Sequence, residues 1–269
     1  MRSKLLARTA AAVALATASG FSAVSARAAT APVSDPHVLI HYDLAAGQQP
    51  ENITSVPGGD FDVVLSRAAQ VEQITPYGRR RLLTALPVPA DGGKNTPALG
   101  YSLATGIVRT PDGTLYVGYA AGHDGLTGIW RIRPGRGPRR IVALGADSFP
   151  NGMALDPRTH QLYFADSARG RIWRVPTSGG TPTPWLDVPE LKPTGLYGLG
   201  ANGLKIHKGA VWVSNSDQGT LLRIPIEPGG APGPITTRLT GPHLDDFTFI
   251  GHSDTLVAAL DPDNKVALI

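Results

Sequence analysis

The chain has 269 residues, no cysteine, and 25 lysines and arginines against 21 aspartates and glutamates. The basic excess is confined to the first segment, where Arg2, Lys4, Arg8 and Arg27 stand without an acid; the remainder carries 21 charges of each sign. That balance excludes the charge-driven nucleic-acid binding that the overall pI would suggest. Without cysteine, the core and not disulfides must hold the fold.

Taken in order, residues 1–28 read as a secretory signal peptide. A basic start precedes the apolar run Thr9–Ala18, and Ala26-Arg27-Ala28 forms a small-x-small cleavage site. The apolar run is too short to persist as a spanning helix and no later run is longer, so no stable membrane insertion is expected. The expected domain covers 29–269 and is secreted or extracytoplasmic. Val38–Leu44 reads as a lone strand ahead of the repeats.

From Glu51 onward one unit recurs. The first apolar residues of its opening runs are Ile53, Ile107, Met153, Leu204 and Phe247, spaced by 54, 46, 51 and 43 residues. Each opening run leads into a tight turn, such as Pro111-Asp112-Gly113 or His207-Lys208-Gly209, where Pro presets φ and Gly supplies a positive one. A β-rich second run follows (Leu162-Tyr163-Phe164, Val211-Trp212-Val213), then an alternating third (Ile129-Trp130-Arg131-Ile132, Arg171-Ile172-Trp173-Arg174-Val175). A weaker fourth, such as Arg139–Leu144, closes most units. Four short antiparallel strands at this period predict an all-β propeller; a β-sandwich is the alternative, but would not repeat a polar residue at one place in every unit. The fifth unit stops in its third strand. Either Val38–Leu44 supplies its missing outer strand in a five-bladed ring, or the chain is a C-terminally truncated larger ring.

Propeller geometry places the starts of the first strands around one channel mouth. Glu51, Thr105, Asn151, Asn202 and Asp245, with Asp246 adjacent, should converge there. Hard oxygen donors of this kind suit Ca²⁺, or another divalent cation of similar taste, and suit zinc or copper poorly. The column offers two or three carboxylates and two amide carbonyls. Asn and Asp also cap strand starts and turns, but converging unpaired acids would repel one another without a cation.

The run Phe149-Pro150-Asn151-Gly152, with Leu162–Ser167 and Arg171–Val175, resembles the regucalcin/gluconolactonase-like six-bladed propellers, whose relatives include paraoxonases and other lactonases. The resemblance covers about Glu51 to Ile269. It implies a six-bladed architecture, of which about five blades are present, and a channel Ca²⁺ held by Glu51, Asn151, Asn202 and Asp245. It also implies hydrolysis of a small-molecule lactone or ester. Where gluconolactonases carry an Asp serving as ligand and base, this chain has Asn202, which takes no proton.

The base must then come from elsewhere. Asp245 and Asp246 are candidates, one binding metal and the other taking the proton. His123, in the loop Ala121–Gly125, is the first histidine candidate and His243 the second. No Gly-x-Ser-x-Gly elbow occurs, which argues against a serine nucleophile. The Pro- and Gly-rich segment Leu86–Tyr101 lies on the same face as a lid or linker. The expected activity is calcium-dependent hydrolysis; a non-enzymatic ligand- or protein-binding propeller is the alternative.

Overall fold

Every predicted run from Glu51 onward contains a strand in the computed structural model, which describes residues 37–269. The expected signal peptide over 1–28 lies outside the described residues. Blade one is β1 (Pro50–Ser55), β2 (Phe61–Leu65), β3 (Gln70–Ile74) and β4 (Arg80–Ala85). Blade two is β5 (Leu103–Arg109), β6 (Leu115–Ala120), β7 (Gly128–Ile132) and β8 (Arg139–Ala143). Blade three is β9 (Pro150–Asp156), β10 (Gln161–Asp166), β11 (Arg171–Pro176) and β12 (Thr183–Leu186). Blade four is β13 (Ala201–His207), β14 (Ala210–Asn215), β15 (Thr220–Pro225) and β16 (Thr236–Thr240). Blade five has three strands, β17 (Phe247–Phe249), β18 (Leu256–Leu260) and β19 (Lys265–Leu268). Strands within each blade pair antiparallel in chain order, and the inner strands β1, β5, β9, β13 and β17 stand side by side in succession. No helix among the described residues is long and apolar enough to cross a membrane.

The second strands explain why the blades stack. Successive side chains of a strand point to opposite faces, and here both faces are covered by neighbouring blades. In blade two, Val117 and Tyr119 pack against Val64 and Val71 of blade one, while Tyr116 packs the other way, with Met153 and Phe164 of blade three. In blade four, Val211 and Val213 join Tyr163 and Ile172 of blade three, whereas Trp212 joins Phe247 and Leu256 of blade five. A strand buried on both sides cannot alternate apolar with polar, which is why these second runs read as nearly continuous hydrophobic stretches. The turn from β13 to β14 has Lys208 at φ 47° and Gly209 at φ 70°, the double positive φ that a two-residue hairpin requires.

Val38–Leu44 does not complete blade five. Among the described residues it forms no strand, and Ile40 and Tyr42 instead pack on blade one against Val63, Leu65 and Ile74. The Arg80 guanidinium stands 4.6 Å over the Tyr42 ring. The segment's apolar side chains are thereby committed to blade one, and the chain turns away at Leu44–Gly47. The five-bladed closure by this strand is therefore not formed.

Candidate metal centre

The candidate residues reach the channel through a repeated local distortion. The pairing of inner with second strand slips at Glu51, at Thr105-Gly106, at Asn151-Gly152 and at Asn202-Gly203. A bulge of this kind bends the strand and re-aims a side chain. The glycine after each column residue in blades two to four lets the next blade approach. A β-carbon on Gly203 would fall 2.5 Å from Asp246 Oδ1 and 2.6 Å from the Asp245 carbonyl oxygen; one on Gly152 would fall 2.5 Å from the Asn202 carbonyl oxygen. The obstacle at Gly152 is backbone, which does not swing aside. Gly152→Ala is expected to destabilise the protein by about 2 kcal/mol or more, as overpacking does, measured by urea unfolding; an unchanged midpoint would show that the blades can spread freely.

The two asparagines are held by one device used twice. Asn151 Nδ2 donates to Ser167 Oγ at 3.2 Å, and Ser167 Oγ donates to the Ala201 carbonyl at 2.7 Å. Asn202 Nδ2 donates to Ser216 Oγ at 2.7 Å, and Ser216 Oγ donates to the Leu244 carbonyl at 2.9 Å. Because each hydroxyl spends its proton on a carbonyl, it accepts from the amide NH₂. That fixes both amides, and each Oδ1 is left without a donor among the described residues. Thr105, in the same column, has no such oxygen to offer: its hydroxyl donates to the Pro150 carbonyl at 2.7 Å.

The carboxylates divide into two kinds. Asp246 is saturated: Oδ1 accepts from Lys205 Nζ and Phe247 N, each at 2.8 Å, and Oδ2 from Lys205 Nζ at 2.6 Å and Asn52 Nδ2 at 2.8 Å. It ties blades one, four and five together. Asp245 accepts from Asn202 Nδ2 at 2.8 Å on Oδ1 alone, and no donor among the described residues reaches Glu51. Burial, then repulsion from Asp261 and Asp246, pushes the Asp245 carboxyl up to about 7, against the opposing pull of Asn202 and Lys205. Burial, then repulsion from Asp245, Asp261 and Asp246, holds Glu51 well above the usual carboxylate range. Asp261, at the end of β18, is raised by burial.

These shifts have a sign. A carboxyl with a raised folded pKa binds its proton more tightly in the folded than in the unfolded chain, where the value is about 3.9. Stability contributed by the protonated form is then lost as pH rises from about 4 through about 7. Asp217 and Asp156, whose values are lowered despite burial by backbone and side-chain hydrogen bonds, act only at the acid end of the scale. Chelator-treated protein is expected to melt at lower temperature at pH 8 than at pH 5.5, and excess Ca²⁺ should flatten that dependence. A melting temperature that climbs over this interval would contradict the carboxylate cluster.

Among the described residues no three His, Cys, Asp or Glu side chains stand close enough to hold a metal ion by themselves. The donors on offer are mixed: two amide oxygens without donors and two carboxylates that resist ionisation together. This set fits a hard, oxygen-seeking cation such as Ca²⁺ in kind, and lacks the nitrogen and sulfur that zinc or copper prefers. Lys205 and Asp261, absent from the expected site, complete its charge. Asp261 occupies the strand-two-to-three position that places loops at this mouth, and that offset was the signal for it; nothing local marks Lys205.

The histidines separate. His123 is exposed and accepts at Nδ1 from Gly125 N at 3.0 Å, within its own loop. His243 Nδ1 lies 2.6 Å from the carbonyl of Ser216, the residue whose side chain holds Asn202. A carbonyl only accepts, so Nδ1 is the donor, and the neutral ring in this tautomer has its lone pair on Nε2. Tyr197 stands edge-on to the His243 ring, centroids 5.6 Å apart. Its loop is anchored by Asp217, which accepts from the backbone N–H of Thr194, Gly195 and Tyr197. The expected lid Leu86–Tyr101 meets this loop where Ala98 abuts Gly198.

No family model matches the chain, and no curated protein matches it. Solved structures do. A catalytically inactive virginiamycin B lyase from Staphylococcus aureus with quinupristin is 20% identical, with 82% of this chain and 67% of that one covered and a TM-score of 0.58. A luciferin-regenerating enzyme is 18% identical over 78% of this chain and 70% of its own, also at 0.58. A Bacteroides uniformis ATCC 8492 protein assigned as a 6-phosphogluconolactonase is 15% identical over 83% and 66%, at 0.56. At these identities the likeness establishes the β-propeller fold, and with it the architecture read from the five-fold repeat.

Proposed function

We propose that the protein is a secreted, calcium-dependent hydrolase of small-molecule lactones or related esters. What supports this reading is that the amide oxygens of Asn151 and Asn202 have no donor among the described residues, that Asn202 bonds Asp245, and that Glu51 feels the Asp245 charge. Those four residues would hold the Ca²⁺. The bound ion supplies Lewis acidity toward a carbonyl oxygen. The chain's own residues do the rest. Ser167 and Ser216 lock the amides with their oxygens free, so no reorganisation is needed when an oxyanion develops. His243, whose Nδ1 meets the carbonyl of the same Ser216 that holds Asn202, is the histidine tied to this network and would take the proton of the attacking water. The Tyr197 loop, pinned by Asp217, sets the Tyr197 ring edge-on to His243 and orients the imidazole.

The reading is tested by melting the protein with EGTA and with added Ca²⁺, then assaying a lactone panel on the same sample. A rise in melting temperature with calcium, accompanied by hydrolysis that EGTA removes, supports it; no calcium shift overturns it. One observation favours a second reading, a non-catalytic binding propeller: the Lys205 ammonium already neutralises Asp246 within the cluster. A calcium shift without hydrolysis of any lactone would select that reading.

A further inference from the structure

On the opposite face, at the far ends of the inner strands, blades one and two enclose a cavity of 330 Å³. Four arginines line it, Arg81, Arg109, Arg133 and Arg136, against a single acidic residue, Asp62. Asp62 is only 2% exposed and is already engaged. Arg109 Nε stands 3.3 Å from its Oδ2, and Gln73 Nε2 donates to its Oδ1 at 3.3 Å. Gln73 in turn accepts from Arg81 Nη2 at 2.7 Å. One arginine therefore balances the buried acid, and three positive charges are left over.

Arg133 and Arg136 flank a turn closed by Arg136 N donating to the Arg133 carbonyl at 3.0 Å. Neither has a carboxylate partner among the described residues. The equivalent groove between blades three and four is lined by Arg158 and Arg174 against Asp156 and Glu227, and so balances itself. The excess at blades one and two is thus a local feature of a chain whose charges balance when summed beyond its first segment.

A guanidinium is a rigid planar fork whose paired N–H groups match the oxygens of phosphate or carboxylate, and several forks around one enclosed space recognise an anion of more than one charge. The cavity lies at the small end of the range for ligand sites, about 300–1,000 Å³. Its volume suits a phosphate group with a small attached body. We propose that this cavity binds a small phosphate-class oxyanion, with Arg133 and Arg136 closing over it and Arg81 and Arg109 forming its floor.

The test is thermal melting of chelator-stripped protein titrated with sodium phosphate, against sodium chloride at matched ionic strength. A saturable rise with phosphate alone is expected, worth about 2.7 kcal/mol at a hundredfold excess over Kd. The double variant Arg133→Gln/Arg136→Gln, altered at two exposed positions, should lose that rise while melting normally in chloride. Arg158→Gln, in the balanced groove, should keep it. Glycerol phosphate in place of inorganic phosphate distinguishes the sources: a tighter response identifies an organic monoester as the ligand, an equal one the free ion. The proposal is overturned if phosphate acts no differently from chloride, or if the double variant responds as the wild type does.

Discussion

Under the proposed function, Glu51→Gln and Asp245→Asn are each expected to abolish the calcium-dependent rise in melting temperature and to lower kcat/KM for lactone hydrolysis by about 100-fold or more, the scale on which preorganised charge at a reacting oxygen contributes. Their effect on the metal-free protein has the opposite sign. Glu51 is held above the usual carboxylate range by burial, then by repulsion from Asp245, Asp261 and Asp246, and Asp245 by burial, then by repulsion from Asp261 and Asp246. An amide in place of either removes that repulsion, so both variants melt higher than wild type in EGTA. Asp245→Asn keeps an acceptor for Asn202 Nδ2, and the amide lock at Ser216 survives. Ligand-site residues that cost stability when the ligand is absent are the usual form of the trade between stability and activity. The paired readout separates this from ordinary damage: a variant that merely disrupts packing melts lower in both buffers. If the EGTA melting temperatures fall together with activity, the two carboxylates are structural and the calcium reading fails.

The column of polar residues was legible because a propeller maps sequence offset onto spatial position. Glu51, Asn151, Asn202 and Asp245 each precede the first apolar residue of an opening run, and that offset alone brings them to one mouth. Their chemistry was less legible. Nothing in the sequence distinguishes Asp245 from Asp246, yet Asp246 accepts four hydrogen bonds from three donor groups while Asp245 accepts one. The difference arises from residues 41 and 194 positions away, Lys205 and Asn52. The glycines at 106, 152 and 203 look like flexible turn residues, and their role appears only when a β-carbon is placed against the next blade. Val38–Leu44 has a strand's composition, but whether an isolated run pairs at a sheet edge or packs on a sheet face depends on where apolar surface is open. Here that surface lay on Val63, Leu65 and Ile74.

Lys205→Met is expected to lower the melting temperature in EGTA and to tighten calcium binding about tenfold, or about 1.4 kcal/mol. The ammonium stands between 2.6 and 2.8 Å from both oxygens of Asp246 and is the only lysine or arginine bonded to the channel carboxylates among the described residues. Removing it strands Asp246 against Glu51, Asp245 and Asp261. The pair is partly open to solvent, with Lys205 25% and Asp246 19% exposed, so the loss falls short of the 3–5 kcal/mol of a fully buried pair and is expected near 2 kcal/mol. A divalent cation then has more to gain, because one more carboxylate lacks a counter-charge. Lys205→Arg keeps the charge and should bind calcium as the wild type does, which separates loss of charge from loss of shape. Isothermal titration with Ca²⁺ across the three proteins decides the matter. An affinity for Lys205→Met equal to or weaker than wild type would mean that the lysine stabilises the ring without competing for the site. A gain confined to Lys205→Met would make Lys205 the internal cation against which calcium must bind, and would explain how Asp246 stays ionised beside Glu51 and Asp245 without a metal.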